Sequence, residues 1–210
     1  MTGFDQDFCA RLRDLIVWRR DVRRFRRDAV PADAVEGLLE LAALAPSVGL
    51  SQPWRFVLVE DAARRAAVGA DFARCNAEAL GAYAGERAQR YASLKLAGLD
   101  EAPVHLAVFA DRGTVQGHGL GRRTMPEMAE YSAVMAIHTL WLVARAAGLG
   151  LGWVSILDPA ALTRILEIPA EWIFLGYFCL GYPESEAVTP ELERAGWEHR
   201  RPWQDFVLRR

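Results

Sequence analysis

The 210 residues suit one domain, or one domain with extensions, and 52% apolar with 25% charged residues is enough to bury a core without metal or disulfide staples. A net charge of −2 gives the whole molecule no broad field for nucleic acid or acidic membrane. Cys9, Cys75 and Cys179 are odd in number and far apart, which excludes a disulfide framework or zinc-ligand spacing and suits a reducing cytoplasm.

The opening residues show no long apolar core with a small-residue cleavage site, and no run of about 18 or more apolar residues occurs. A cytoplasmic protein free of membrane is the expectation. The first clear helix is predicted from Ala32 to Leu44, where Val35, Leu38, Leu39 and Ala42 recur on one face after Pro31, and Pro46 ends it. A strand over 56–59 follows, then a helix capped by Asp61 and running to about Leu80. Residues 81–101 have weak periodicity. Next come a strand over 104–109, a loop holding Gly113, Gly117, Gly119 and Gly121, and a long helix from Pro126 or Glu127 to Ala147, with Val134, Ile137, Trp141 and Leu142 on its apolar face. Gly148 and Gly150 are its stop signals. A strand over 153–157, a helix started by Asp158-Pro159 and a buried strand over 173–180 complete the pattern, before a tail rich in Trp, Arg and Phe. Strands separated by helices imply α/β or α+β architecture, with helices covering the sheet.

Residues 19–27 hold six arginines in nine positions. They read as a solvated basic surface, a nucleic-acid patch, or a site for a small anion that suits the guanidinium fork. Asp21 inside that run has two opposing influences: neighbouring cations lower its pKa and burial raises it, while in the plainest case it simply pairs with an arginine. The turn from Ala45 to Trp54 has small residues, and Ser47, Ser51 and Gln52 can hydrogen-bond a ligand or merely connect two elements. Glycines 148, 150 and 152 follow a helix and precede a strand, the reverse of a dinucleotide fingerprint, so that reading is excluded. His105, His118, His138 and His199 lack ligand-spaced partners, and Trp141 and Trp153 read as core. No HExxH, GxSxG or P-loop occurs, so neither a metal centre nor a serine hydrolase is expected.

Taken in order, Arg19-Arg20-Asp21-Val22-Arg23, Pro46-Ser47 through Gln52-Pro53-Trp54, Gly148 through Ser155, and Arg201 resemble the motifs of the nitroreductase family of FMN proteins. The resemblance covers roughly residues 10 to 207. Two positions depart from it: Asp21 replaces the usual serine, and Leu50 or Ser51 stands where asparagine is usual. The run from Gly150 to Pro159, Thr124 to Glu127, and Leu94-Lys95-Leu96 before Glu101-Ala102-Pro103 look like one branch of that family. Its members consume reduced FMN with O2 and turn the isoalloxazine into the lower ligand of vitamin B12.

The resemblance implies an α+β fold with a central mixed sheet flanked by helices, spanning 1–210, in an intertwined homodimer. It implies a lid near 81–101 and a C-terminal extension over 183–210. FMN would lie at the dimer interface, with Arg19, Arg23 and Arg201 on its phosphate, although adjacent Arg200 leaves that last contact open by one residue. Arg20 would approach the flavin ring, Ser47 and Ser51 the ribityl chain and ring, and Gly152 would also touch the cofactor. Asp21 is the implied base or proton shuttle, and Ser155 is implied near flavin N5. A flavin reductase would supply the reduced FMN, and direct use of NAD(P)H is left open. The competing readings are an NAD(P)H-dependent nitroreductase or flavin reductase that recycles FMN, and a non-catalytic module that binds flavin or nucleic acid through the arginine run.

Overall fold

The computed structural model describes residues 3–94 and 96–210. Lys95, in one of the branch motifs, lies outside the described residues. In chain order the elements are α1 (Gln6–Trp18), α2 (Ala32–Ala42), β1 (Trp54–Leu58), α3 (Ala62–Gly81), α4 (Gly85–Ser93), α5 (Gly98–Glu101), β2 (Val104–Asp111), α6 (Met128–Ala146), β3 (Gly150–Val154), α7 (Pro159–Ile165), β4 (Trp172–Gly181) and α8 (Glu191–Arg194).

The architecture is α+β. Among the described residues four strands pair antiparallel in the order β1-β2-β4-β3, and the parallel component is one bridge between Asp21 and Leu151. Side chains alternate across the sheet, as the two-residue period of a strand requires. Leu106, Val108, Phe178 and Leu180 face Val35 and Leu38 of α2 and Ile137 and Leu140 of α6. Ala107, Phe109, Tyr177 and Cys179 face the other way, packing with Val68 of α3 and Leu162 of α7. The sheet is therefore covered on both faces, which is why β2 and β4 read as continuous apolar runs. Truncating fully buried Leu140 to alanine would cost about 2–5 kcal/mol.

Most element ends follow local chemistry. Asp61 accepts from the Arg64 N–H at 2.8 Å to start α3. Asp158 accepts from the Ala160 N–H at 2.9 Å, with Pro159 in the first turn of α7. Gly148, at φ 76°, takes the left-handed conformation that ends α6, and the Leu149 N–H returns to the Ala144 carbonyl at 2.8 Å. Two expectations differ from the structure. Residues 81–101 contain α4 and α5 rather than irregular chain, and β3 begins at Gly150 and ends at Val154 instead of spanning 153–157. The glycines belong to the strand because another segment must cross it closely.

Candidate functional site

That segment is the arginine run. It leaves α1 at Trp18 and lies along β3: the Val22 N–H donates to the Leu151 carbonyl at 3.1 Å, and the Trp153 N–H donates to Asp21 Oδ1 at 2.8 Å. A Cβ on Gly152 would stand 2.0 Å from the Val22 carbonyl oxygen, and one on Gly150 would stand 2.6 Å from a Val22 methyl. Glycine at 150 and 152 thus permits the close approach that fixes residues 19–23. Gly152, expected at the cofactor, is buried against the Val22 backbone.

The fixed segment presents its arginines to a cleft. Arg19 stacks 4.7 Å from the Trp141 ring centroid, and Trp141 Nε1 donates to the Arg20 carbonyl at 3.0 Å. Arg20 bonds the Arg19 carbonyl, but its buried Nε has no partner among the described residues. Burial is the main cause that lowers the pKa of both Arg19 and Arg20; Arg200 repels both, and Asp21 opposes the shift at Arg19. Arginine still carries its charge at neutral pH. Arg19, Arg20, Arg23 and Arg200 share one hollow with the carboxyls of Asp21 and Glu191, which leaves a surplus of positive charge there. An orphaned buried guanidinium nitrogen among mutually repelling arginines fits an anion such as a phosphate, which neutral surroundings could not hold so firmly.

Asp21 has the opposite imbalance. Burial pushes its carboxyl above the usual carboxylate range, outweighing the Trp153 N–H, Arg23 and Arg19, which pull it down. Arg23 Nε is 3.6 Å from Asp21 Oδ2, too long for a tight hydrogen bond. The Asp21 side chain keeps 37% of its surface accessible, and that part faces the cleft. A carboxyl solvated from one side only still loses much of the hydration of its ionised form, which favours the protonated one.

Three hollows meet at Asp21 and Arg23. One of about 140 Å³ has Arg19, Arg20 and Arg200 in its wall. One of about 60 Å³ reaches Arg24 and Arg194. The widest, about 210 Å³, is lined by the Trp153–Ile156 run with Ser155, by Phe72 and Asn76 of α3, by Tyr91 of α4, and by Leu192 and Trp197. The cleft thus has a cationic end and an aromatic end, with one carboxyl at the junction.

The structure brings Arg19, Arg20, Asp21, Arg23 and Ser155 together, with Gly152 directly beneath. Ser47 and Ser51 lie elsewhere, on the turn against α6: the Val48 N–H donates to Ser132 Oγ at 3.0 Å, and Ser47 Oγ accepts from the Gln52 N–H at 3.1 Å. Ser51 is buried, and its hydroxyl has no partner among the described residues. Arg201 pairs with Asp205 at 3.0 Å and stacks on Phe206, whereas Arg200 lines the cleft. Asn76, Tyr91, Leu192 and Trp197 were not expected at the site. Each is a lone residue in sequence, and the cue available was Trp197 directly after a helix-ending glycine.

No described helix is long and apolar enough to cross a membrane. Among the described residues no three His, Cys, Asp or Glu side chains converge to hold a metal.

Residues 16–182 match the profile of the Nitroreductase family, and the chain belongs to that family. Within it, a 5,6-dimethylbenzimidazole synthase from Rhodospirillum rubrum is 59% identical over 199 residues, covering 95% of this chain and 94% of its own. A second 5,6-dimethylbenzimidazole synthase, from Rhodobacter capsulatus, is 49% identical over 200 residues, covering 95% of this chain and 97% of its own. The solved structure of oxidised iodotyrosine deiodinase, bound to FMN and 3-iodo-L-tyrosine, superposes with a TM-score of 0.71 at 25% identity, covering 84% of this chain and 91% of that one.

Proposed function

We propose that this protein is a 5,6-dimethylbenzimidazole synthase, an enzyme that fragments reduced FMN with O2 to form the lower ligand of vitamin B12. The observation that carries the reading is the position of Asp21. It lines the cationic hollow and the aromatic hollow alike, so it sits where a chain joining a phosphate to a ring must pass. The high identity to two synthases over nearly the whole chain supports the same reading.

FMN, when bound in reduced form, supplies the electrons for O2 and the ribityl carbon that becomes C2 of the benzimidazole. Arg19, Arg20, Arg23 and Arg200 would hold the phosphate, as the orphaned Arg20 Nε and the repulsion from Arg200 favour. Arg23 also flanks Asp21, and the ring-facing role expected for Arg20 gives way to a phosphate-facing one. Asp21, aimed by the Trp153 N–H, would take the proton from the ribityl carbon, a role typically worth 10²–10⁴-fold. Ser155, exposed at the end of β3 in the wall of the aromatic hollow, would hydrogen-bond near flavin N5. Leu192, Phe72 and Leu94 would exclude water from the ring end, with α4 and α5 serving as the lid and residues 183–210 as an extension that closes the site.

Ser47 and Ser51 fit this reading if two copies share the site. Exposed apolar side chains gather on α1 (Leu12, Ile16) and α6 (Val134, Met135) and at Leu44, and α6 packs against both α1 and the turn that holds Ser47 and Ser51. A homodimer joined through that face would bury them and bring the serines to the partner's flavin. A flavin reductase would supply reduced FMN, with NAD(P)H as the indirect electron source, and the three free thiols suit a reducing cytoplasm.

The test is aerobic incubation of the purified protein with chemically reduced FMN, followed by mass spectrometry for 5,6-dimethylbenzimidazole. Product that requires O2 supports the synthase. Intact FMN together with steady NAD(P)H-driven reduction of a nitroarene would replace it with the recycling reductase.

A further inference from the structure

Two polar side chains at the aromatic end of the cleft have no role in the account above: Asn76 on α3 and Tyr91 on α4. Tyr91 Oη donates to Asn76 Oδ1 at 2.8 Å, and both line the hollow that holds Asp21 and Ser155. That bond occupies the acceptor of the carboxamide and leaves its two Nδ2 protons for another acceptor. Burial, with Tyr83 adding to it, pushes the Tyr91 phenol pKa up, so Tyr91 remains a donor at neutral pH and fixes which way the amide points.

The pair is held in place by the C-terminal segment. Helix α4 buries none of its own residues. It packs on α3 and is clamped from its other side by the C-terminal segment: Trp197 meets Tyr83 edge-on at 5.6 Å and Tyr91 at 6.2 Å, and Arg87 lies 5.8 Å from the Trp197 ring centroid. Arg90 Nη1 donates to the Gly196 carbonyl at 2.6 Å. Gly196 has φ 65° and follows α8, while the Trp197 N–H returns to the Leu192 carbonyl at 2.8 Å. This turn directs the indole toward α4. The segment that brings Arg200 to the cationic end therefore also clamps the aromatic end.

We propose that Asn76, oriented by Tyr91 and held by the Trp197 clamp, donates a hydrogen bond to a carbonyl or ring nitrogen of the flat heteroaromatic ring in this hollow. It is thus a ring-reading residue whose contribution is independent of the phosphate contacts. The inference rests on the flavin reading above and adds a contact to it. Asn76→Asp replaces the two protons with an anionic acceptor that repels a carbonyl edge. Tyr91→Phe keeps the ring against Trp197 and removes only the hydroxyl that aims the amide.

The experiment titrates the full chain with oxidised FMN and with lumiflavin, which has the ring but no ribityl phosphate, and follows flavin fluorescence. Asn76→Asp is expected to weaken both ligands about tenfold and Tyr91→Phe about fivefold, the loss of roughly one hydrogen bond. The thermal midpoint of Tyr91→Phe stays at the wild-type value. Wild-type affinity for FMN in both variants overturns the proposal, as does a loss confined to FMN, which would put the contact on the ribityl phosphate. Failure of the wild-type chain to bind either flavin would sink the flavin reading itself and this proposal with it.

Discussion

The Trp153 backbone N–H donates to Asp21 Oδ1 at 2.8 Å, so the carboxyl at the junction of the cleft is aimed by the main chain of the sheet edge. A side-chain partner could rotate away; a strand N–H cannot. One oxygen is thereby committed, and the other, 3.6 Å from Arg23 Nε, is left loosely held. Such a group can exchange a proton without losing its position.

The raised pKa of Asp21, caused first by burial, gives a pH dependence with a definite sign. The folded state holds the proton more tightly than the unfolded chain, so the ionised carboxyl costs stability at pH values above its folded pKa and costs nothing below the ordinary range of about 3.9. Asp21→Asn should raise the thermal midpoint at pH 7, and the gain should vanish in acid. In the wild type, single-turnover product formation should rise with pH through a bend above the usual aspartate range. Melting curves and a pH–rate profile check the two halves.

Gly152→Ala places a Cβ against the Val22 carbonyl, a backbone atom with little room to give. The expected cost is about 1–3 kcal/mol in urea unfolding. FMN affinity should fall with it, because the arginine run is displaced from β3. A variant as stable as the wild type would show that the crossing of residues 19–23 over β3 has room for a methyl group.

Arg200 and Arg201 are adjacent but face different partners. Arg200→Ala should weaken FMN roughly ten- to a hundredfold, the loss of a charge-assisted hydrogen bond, while leaving riboflavin unaffected because it has no phosphate. Arg201→Ala should change neither affinity. Isothermal titration with both ligands separates the two residues.

His105 belongs to β2 and is 3% exposed, with its Nδ1 2.8 Å from the Tyr177 hydroxyl of β4. Burial lowers its pKa to about 4, with nearby Arg65 assisting. The unfolded chain takes up this proton near pH 6.5, the folded one not until about 4, so acid should remove roughly 3 kcal/mol of stability across that window. Denaturant titrations at pH 7 and pH 4.5 should show the loss, and His105→Gln should flatten it.

The sequence made the helix–strand order legible because α2 and the two-faced strands β2 and β4 carry clear periodic or continuous apolar patterns. It misplaced β3, since glycine argues against a strand until the crossing chain over Gly150 and Gly152 is known. Residues 81–101 looked irregular because α4 is largely polar and held from the far end of the chain by Trp197. At the site, Asp21 and the arginines stood out as a local cluster, whereas Ser155, read as the middle of a strand, was singled out only by the family resemblance. Asn76, Tyr91 and Trp197 meet only in three dimensions, and no local spacing marks them.

The most direct test of the central claim compares wild type with Asp21→Asn, each mixed aerobically with chemically reduced FMN, by mass spectrometry for 5,6-dimethylbenzimidazole alongside an FMN binding titration. Product from the wild type and none from Asp21→Asn, with FMN affinity retained, is the predicted result. Wild-type yield from Asp21→Asn, or loss of product accompanied by loss of FMN binding, would contradict the role assigned to this carboxyl.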